Sequence, residues 1–356
     1  MSESFLPWPP PVPSDLTERD RERHELFFAT YVPQHYAPVP ESTDVIAVSP
    51  PGEVRRCMFC GGAKDDVIEG RAVTFETFAH LIPEQLGNRK QGFDAECDTC
   101  NQRHGTYESD LGTYTLPLRA SLGIKKKKAG YPTYKLVGDD GETDLRIGRS
   151  GDRIRVVARE ESGTATLDQE AKRMTLRMTR GPFRPLHVYK SLAKVAVALM
   201  EPDEIEDYRH YLTLLASGAA DERFAGHPAA SLFGYWFPGG WGVERPSAML
   251  MQRNPEVQSA APSKLLVLRF ANHFWQVPIF SLTDHTAWAA QTLAEGKTTF
   301  SIPQHPAPIP AHIIERHGPY GAYQDDLSSP EVRRGDEFTT TFGFRDAHPL
   351  DPVETD

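Results

Sequence analysis

Only four cysteines occur in the 356-residue chain, and they stand as two Cys-x-x-Cys pairs, Cys57-Met58-Phe59-Cys60 and Cys97-Asp98-Thr99-Cys100, with thirty-six residues between them. Each pair can present two thiolates from one side of a tight turn, and four thiolates complete the tetrahedral shell of a Zn²⁺ ion. Four protein ligands leave no position for water. The ion expected here is therefore structural, holding together a stretch too small to fold around a core of its own. Two other fates are open to paired cysteines. Disulfides need an oxidising compartment, and a redox pair needs a thioredoxin-like βαβ surround that neither pair has.

Charge limits the partners. With 39 Lys+Arg against 49 Asp+Glu the formal net charge is −10, so contact with a polyanion must be local rather than wholesale. Between Glu53 and Gly130 the balance is twelve Lys+Arg to eleven Asp+Glu, which leaves the excess negative charge to the rest of the chain. Arg119 and the run Lys125, Lys126, Lys127 and Lys128 lie in that near-neutral stretch. They read either as contacts to a phosphate backbone or as an exposed, solvated loop. No run of about 18 apolar residues exists and the N-terminus lacks a basic-then-apolar leader, so a soluble, cytoplasmic protein without a membrane partner is expected.

Residues 1 to about 51 are proline-rich, so extended chain is predicted there, interrupted by one helix between Leu16 and Tyr31. Ser14 or Asp15 would cap it, and Leu16, Leu26, Phe27 and Tyr31 give it a thin apolar stripe. After the turn Gly138-Asp139-Asp140-Gly141, Ile154 and Val156, then Met174, Leu176 and Met178, recur with period two, as half-buried strands do. Pro185 opens a helix whose Leu186, Tyr189, Leu192, Val195, Ala196 and Leu199 share one face, with Pro202 beyond its end. A second helix is expected over 203–217, and a hairpin over 265–280 turned at Ala271-Asn272-His273. Trp236, Trp241 and Trp275 read as core or interface aromatics. Past about Gln304 the composition returns to proline, glycine and acid, which predicts a loosely packed tail.

The chemistry concentrates between and just after the cysteine pairs. Residues 74–80 alternate as a strand ending at His80, followed by the loop Leu81-Ile82-Pro83-Glu84-Gln85-Leu86-Gly87-Asn88. The second pair runs into Asn101, His104 and Glu108, which share one face of a helix that Asp98 could cap. A zinc tie between that strand and that helix would set an imidazole and a carboxamide on opposite walls of one groove.

On these residues, about Arg55 to Tyr114, the chain resembles the HNH nucleases, also called ββα-metal or His-Me finger enzymes, and most closely their zinc-stapled bacterial members. The similarity runs through Ala79-His80-Leu81-Ile82-Pro83-Glu84, Leu86-Gly87-Asn88, Glu96-Cys97-Asp98, Cys100-Asn101 and the Arg119 to Lys125 segment. It implies a small zinc-stapled ββα-metal nuclease module at 52–135, which with the patterning of the rest gives an expected α+β protein: a Pro-rich segment at 1–51, that module, a mixed α/β accessory domain at 145–303 and a Pro- and acid-rich tail at 304–356. It also implies a metal-dependent endonuclease acting on DNA, with RNA as the other nucleic acid to consider. His80 matches the family's general base, and Asn101 the residue closing the motif. Asn88 stands for its middle asparagine. Many members place an acidic residue or a second histidine just before the base. This chain has Ala79, leaving His104, Glu108, Glu96 and Glu84 as substitutes for a catalytic Mg²⁺ or Mn²⁺.

The chemistry explains the residue types. Phosphodiester hydrolysis needs a hydroxide made by a neutral imidazole and positive charge where the phosphorane gathers its own. Alone, His80 could equally be a core histidine, and Asn101 a helix-start hydrogen bond. The competing function is a non-enzymatic zinc module that binds nucleic acid or a partner protein. A phage-defence or restriction effector, held inactive until an activating ligand or partner reaches the accessory domain, is a third, and a double-strand cut would favour a homodimer.

Overall fold

The computed structural model of the chain describes residues 18–39, 44–46, 54–126, 130–150, 153–217, 227, 229–236, 243–257, 261–295 and 321–343. These form a mixed α and β structure. Its centre is an antiparallel sheet in the strand order Tyr31–Pro38, Val243–Arg253, Lys264–Ala271, His273–Ile279, Ser231–Trp236, Gly321–Asp326. The expected hairpin is its heart. Lys264 pairs with Ile279 and Phe270 with His273, and Ala271 takes φ 45° to turn the chain.

Both faces of this sheet are covered, which is why Leu265–Leu268 reads as an unbroken apolar run. Leu266, Leu268 and Phe270 face one core, while Leu265 and Val267 face another. The second face is closed by helix α1 (Glu18–Thr30), through Phe27 and Phe28, with Tyr31 at the start of the strand that follows. Leu26, expected on that stripe, is 58% exposed, and Phe28 packs in its place. The chain passes from α1 into strand Tyr31–Pro38, which pairs with Val243–Arg253, so this part of the Pro-rich segment is built into the sheet.

Helix α2 (Asp98–Leu122) starts at the second cysteine pair and ends on Gly123, whose φ of 69° suits a residue without Cβ. Helix α3 (Pro185–Ala198) follows the predicted span, with proline in its first turn. It is buried on every side, not on one face, because it lies between α2 and the central sheet. The segment expected as one helix over 203–217 is a 3₁₀ turn, Ile205–Tyr208, followed by α4 (Arg209–Ala216). Helix α5 (Leu282–Glu295) comes after the central hairpin.

Besides two two-stranded sheets, two three-stranded ones accompany the central sheet among the described residues. Tyr134–Val137, Thr143–Ser150 and Arg153–Ala158 form one, its first turn made at Gly141 with φ 84°. Ala165–Asp168, Arg173–Thr179 and Glu337–Gly343 form the other. Leu176 and Met178 are buried as the alternation predicts, but Ile154 is 48% exposed. Residues 321–343, expected within a loose tail, supply strands to two sheets: they pair with Ser231–Trp236 and Arg173–Thr179, and their few apolar side chains, Leu327, Tyr323 and Phe338 among them, pack on the cores.

The cysteine segment has no separate core. Phe59, Leu81, Ile82, Leu86 and Phe93 share one cluster with Leu186, Leu192 and Val195 of α3 and with Trp275 of the sheet. Trp275 is fully buried, as expected, while Trp241 lies outside the described residues. No helix among the described residues is long and apolar enough to cross a membrane.

Candidate metal centre

The first cysteine pair sits on a reverse turn in which the amide of Cys57 donates to Gly62 O and that of Gly61 to Cys57 O, both at 2.8 Å. Gly61 takes φ 73°, a conformation that favours glycine. A Cβ on Gly62 would meet Ile68 Cδ1 at 2.6 Å, so the glycine after the pair also lets the turn close on its hairpin. The second pair occupies the start of α2, with Cys97 as its N-cap residue. The ligand atoms of all four cysteines lie within 4.8 Å of one another. Cys60 Sγ and Cys97 Sγ are 3.8 Å apart. Four sulfurs each about 2.3 Å from a central Zn²⁺ have tetrahedral edges of about 3.8 Å, so the Cys60–Cys97 separation matches such an edge and the four thiols are close enough together to hold one ion. The Cys97 amide points at Cys57 Sγ, 3.4 Å away, as a donor to a thiolate. Crowding by the Cys100 thiol, with burial, pushes the Cys57 thiol up to about 12, so a cation is what would hold these sulfurs deprotonated together.

The strand predicted over 74–80 does not form, for a visible reason. Asp98 accepts the amides of Glu76 (3.0 Å) and Thr77 (2.8 Å) and the Thr74 hydroxyl (2.5 Å), so those amides go to a carboxylate instead of a ladder. Burial opposes the Asp98 charge, but these donors outweigh it and hold the carboxyl down to about 2. Asp98 thus ties the loop to the helix instead of capping it. At the loop's end His80 makes a single antiparallel bridge to Gly92, and the Phe93 amide donates to Ala79 O at 2.8 Å. These bonds dock the loop on strand Gln91–Phe93, which also pairs in parallel with Asp44–Ile46.

His80 is partly exposed, its side chain at 19%, with Nε2 3.9 Å from Glu84 Oε2 and Phe78 edge-on at 5.0 Å. Phe78 itself is 41% exposed. Asn88 is fully buried and acts as a loop staple: Nδ2 donates to Ile82 O and Gln91 O, both at 2.8 Å, and Oδ1 accepts from the amides of Gln91 (2.9 Å) and Lys90 (3.2 Å). Every polar valence of its amide is spent on backbone, so its role is to shape the loop after His80, not to meet a substrate. Asn101 is half-buried in the first turn of α2.

His104 and Glu108, expected on a groove wall with Asn101, lie elsewhere. His104 is 1% exposed, edge-on to Phe59 at 4.7 Å, and its Nδ1 is 2.7 Å from Glu96 Oε1. Burial keeps its imidazole below the ordinary histidine range despite Glu96 beside it. Glu108 Oε1 is 3.0 Å from Lys194 Nζ of α3, and Lys194 is also 3.0 Å from Glu96 Oε2. The helix turns His104 and Glu108 inward because the α2–α3 seam supplies charged partners. The structure therefore adds Lys194 to the residues around the site and places Glu96, one of the candidate ligands, beside it in the seam. Two lysines and a histidine within an otherwise apolar helix, His187, Lys190 and Lys194, are the sequence signal that could have found that seam.

Among the described residues the four cysteines are the sole group of three or more His, Cys, Asp or Glu whose ligand atoms converge. The basic stretch divides. Lys125 and Lys126 are exposed, Lys127 and Lys128 lie outside the described residues, and Arg119 folds back on α2, its Nη2 donating to Gly112 O at 2.8 Å. Arg119 is half-buried there, and burial lowers its guanidinium. No protein-family model, curated protein or solved structure matches the chain.

Proposed function

We propose that the chain is an HNH-type endonuclease that hydrolyses phosphodiester bonds of DNA, with His80 as general base on a module stapled by a structural Cys57/Cys60/Cys97/Cys100 zinc. One observation carries the reading. A partly exposed imidazole, its main chain bridged to Gly92, ends a loop that Asp98 ties to the helix bearing the second cysteine pair. A neutral histidine so held can take a proton from water at pH 7, and phosphodiester attack needs that step.

The resemblance brings a hard divalent ion, Mg²⁺ or Mn²⁺, to offset charge developing on the phosphate. The side chains first assigned to it do not converge here, since His104 and Glu108 are committed to the seam with Glu96 and Lys194. Asn101 and Glu84 remain as oxygen donors. No step is assigned to that ion. Lys125 and Lys126, exposed just past α2, suit contact with the phosphate backbone.

A specific observation favours the rival reading of a zinc module that binds nucleic acid or protein without cutting it. Ala79 stands where an acidic ligand is common, and it is buried. Incubation of supercoiled plasmid with the intact chain and Mg²⁺ or Mn²⁺ separates the two. Nicking by wild type and none by His80→Ala supports the nuclease. Equal nicking by both removes His80 as base, and shifted mobility without nicking under either ion supports the binding module.

A further inference from the structure

Lys194 is fully buried in α3, the central helix of the body, yet its side chain leaves that apolar environment for the loop that ends at His80. Its Nζ lies 3.0 Å from Glu96 Oε2 and 3.0 Å from Glu108 Oε1, and it donates to His80 O at 3.3 Å. These three acceptors belong to three separate segments: the residue before the second cysteine pair, the second turn of α2 beyond it, and the end of the loop. An ammonium removed from water is tolerated only with such partners, and Glu96 is in turn held by His104. The neighbouring polar residues of α3 do other work. Lys190 bonds Ser217 and His187 bonds Asp110, and neither contact reaches the loop.

We propose that Lys194 is a positioning residue for His80, acting through the backbone carbonyl of His80 and making the imidazole's placement depend on α3. The inference rests on the reading of His80 as general base. The main chain before the ring is already fixed by the Phe93 amide on Ala79 O. Lys194 fixes it at His80 itself, so the ring keeps only its side-chain torsions. Without the ammonium, the carboxylates of Glu96 and Glu108 face each other unscreened and the carbonyl loses its donor. Both effects release the loop end.

The experiment uses the intact chain as wild type, Lys194→Met and His80→Ala, with plasmid cleavage read beside the ring ¹⁵N and Cε1–H resonances of His80, assigned by their loss in His80→Gln. The expected result is that Lys194→Met keeps its zinc and its KM, loses about 10²-fold in kcat, and shows displaced and broadened His80 resonances. His80 resonances that coincide with wild type in zinc-loaded Lys194→Met overturn the inference, whatever the cleavage. Should Lys194→Met not fold, Glu108→Gln keeps an acceptor for Nζ while removing one of the two charges that orient it. Displaced His80 signals there support the anchor, and unmoved ones overturn it. The two proposals fail separately. Displaced resonances in a protein that never cuts sink the nuclease and keep the anchor, while lost cutting with unmoved resonances does the reverse.

Discussion

Acid should loosen the body at one place, a chain of three histidines brought together from distant segments. His227 Nε2 is 3.0 Å from His285 Nδ1, and His285 Nε2 is 3.2 Å from His210 Nε2. The Ala229 amide donates to His227 Nδ1 at 3.0 Å, which puts the His227 proton on Nε2. His227 then donates to His285, and His285 to His210. The order holds only while all three rings are neutral, since an added proton would face another N–H at whichever ring received it. Burial, then repulsion from His285, lowers His210 and His227 to about 4, and burial lowers His285. Arg209 adds to the lowering at His210, whereas the Phe280 backbone at His210 and Asp284 at His285 oppose it.

The sign follows from proton counts. Between pH 6.5 and 4 the unfolded chain binds more protons than the folded one, so stability present above pH 6.5 falls as the pH drops towards 4. One histidine moving from 6.5 to about 4 loses about 2 kcal/mol by pH 5. Urea unfolding of wild type and His210→Phe at pH 7.5 and pH 5.0 tests this. The drop between the two pH values should be smaller in the variant by about 2 kcal/mol, because His24, His104 and His273, also depressed by burial, titrate alike in both proteins. An equal drop in both, or ring ¹⁵N shifts showing a charged His285 at pH 6, would refute the reasoning.

Three further outcomes are expected. Cys97→Ser should lose bound zinc together with near-ultraviolet signal from the cysteine segment, because one ligand fewer opens the shell; zinc retained at one per chain contradicts the cluster. Asn88→Ala strips partners from Ile82 O, Gln91 O and the amides of Lys90 and Gln91, so it should cost about 1–3 kcal/mol in urea unfolding and speed amide exchange at Gln91. If DNA is bound, Lys125→Gln with Lys126→Gln should lower the slope of log affinity against log salt by about 2, measured by fluorescence anisotropy on a short duplex; an unchanged slope removes both from the interface.

What the sequence disclosed and what it hid divide along contact distance. The cysteine spacing is local, and it led directly to four thiols close enough to share a metal ion. The same holds for α3, marked by Pro185 and its apolar period, and for the hairpin at Ala271. The strand over 74–80 failed because Asp98, more than twenty residues away in sequence, outcompetes a ladder for two amides. His104 and Glu108 were legible as one helix face but not as a buried one, since Lys194, which holds Glu108 directly and His104 only through Glu96, lies 86 residues beyond Glu108. The strands of 321–343 escaped notice because their few apolar residues show no clear period and their pairing partners lie far away in sequence.

Zinc-edge X-ray absorption on the purified chain, with metal content by mass spectrometry, tests most directly the claim that the cysteines build the platform on which His80 is mounted. The account predicts one zinc per chain surrounded by four sulfurs at about 2.3 Å, and loss of the His80 to Gly92 bridge, read as rapid exchange of its amides, once a chelator removes the ion. A zinc shell containing nitrogen or oxygen, or a bridge that survives complete removal of the metal, would contradict it.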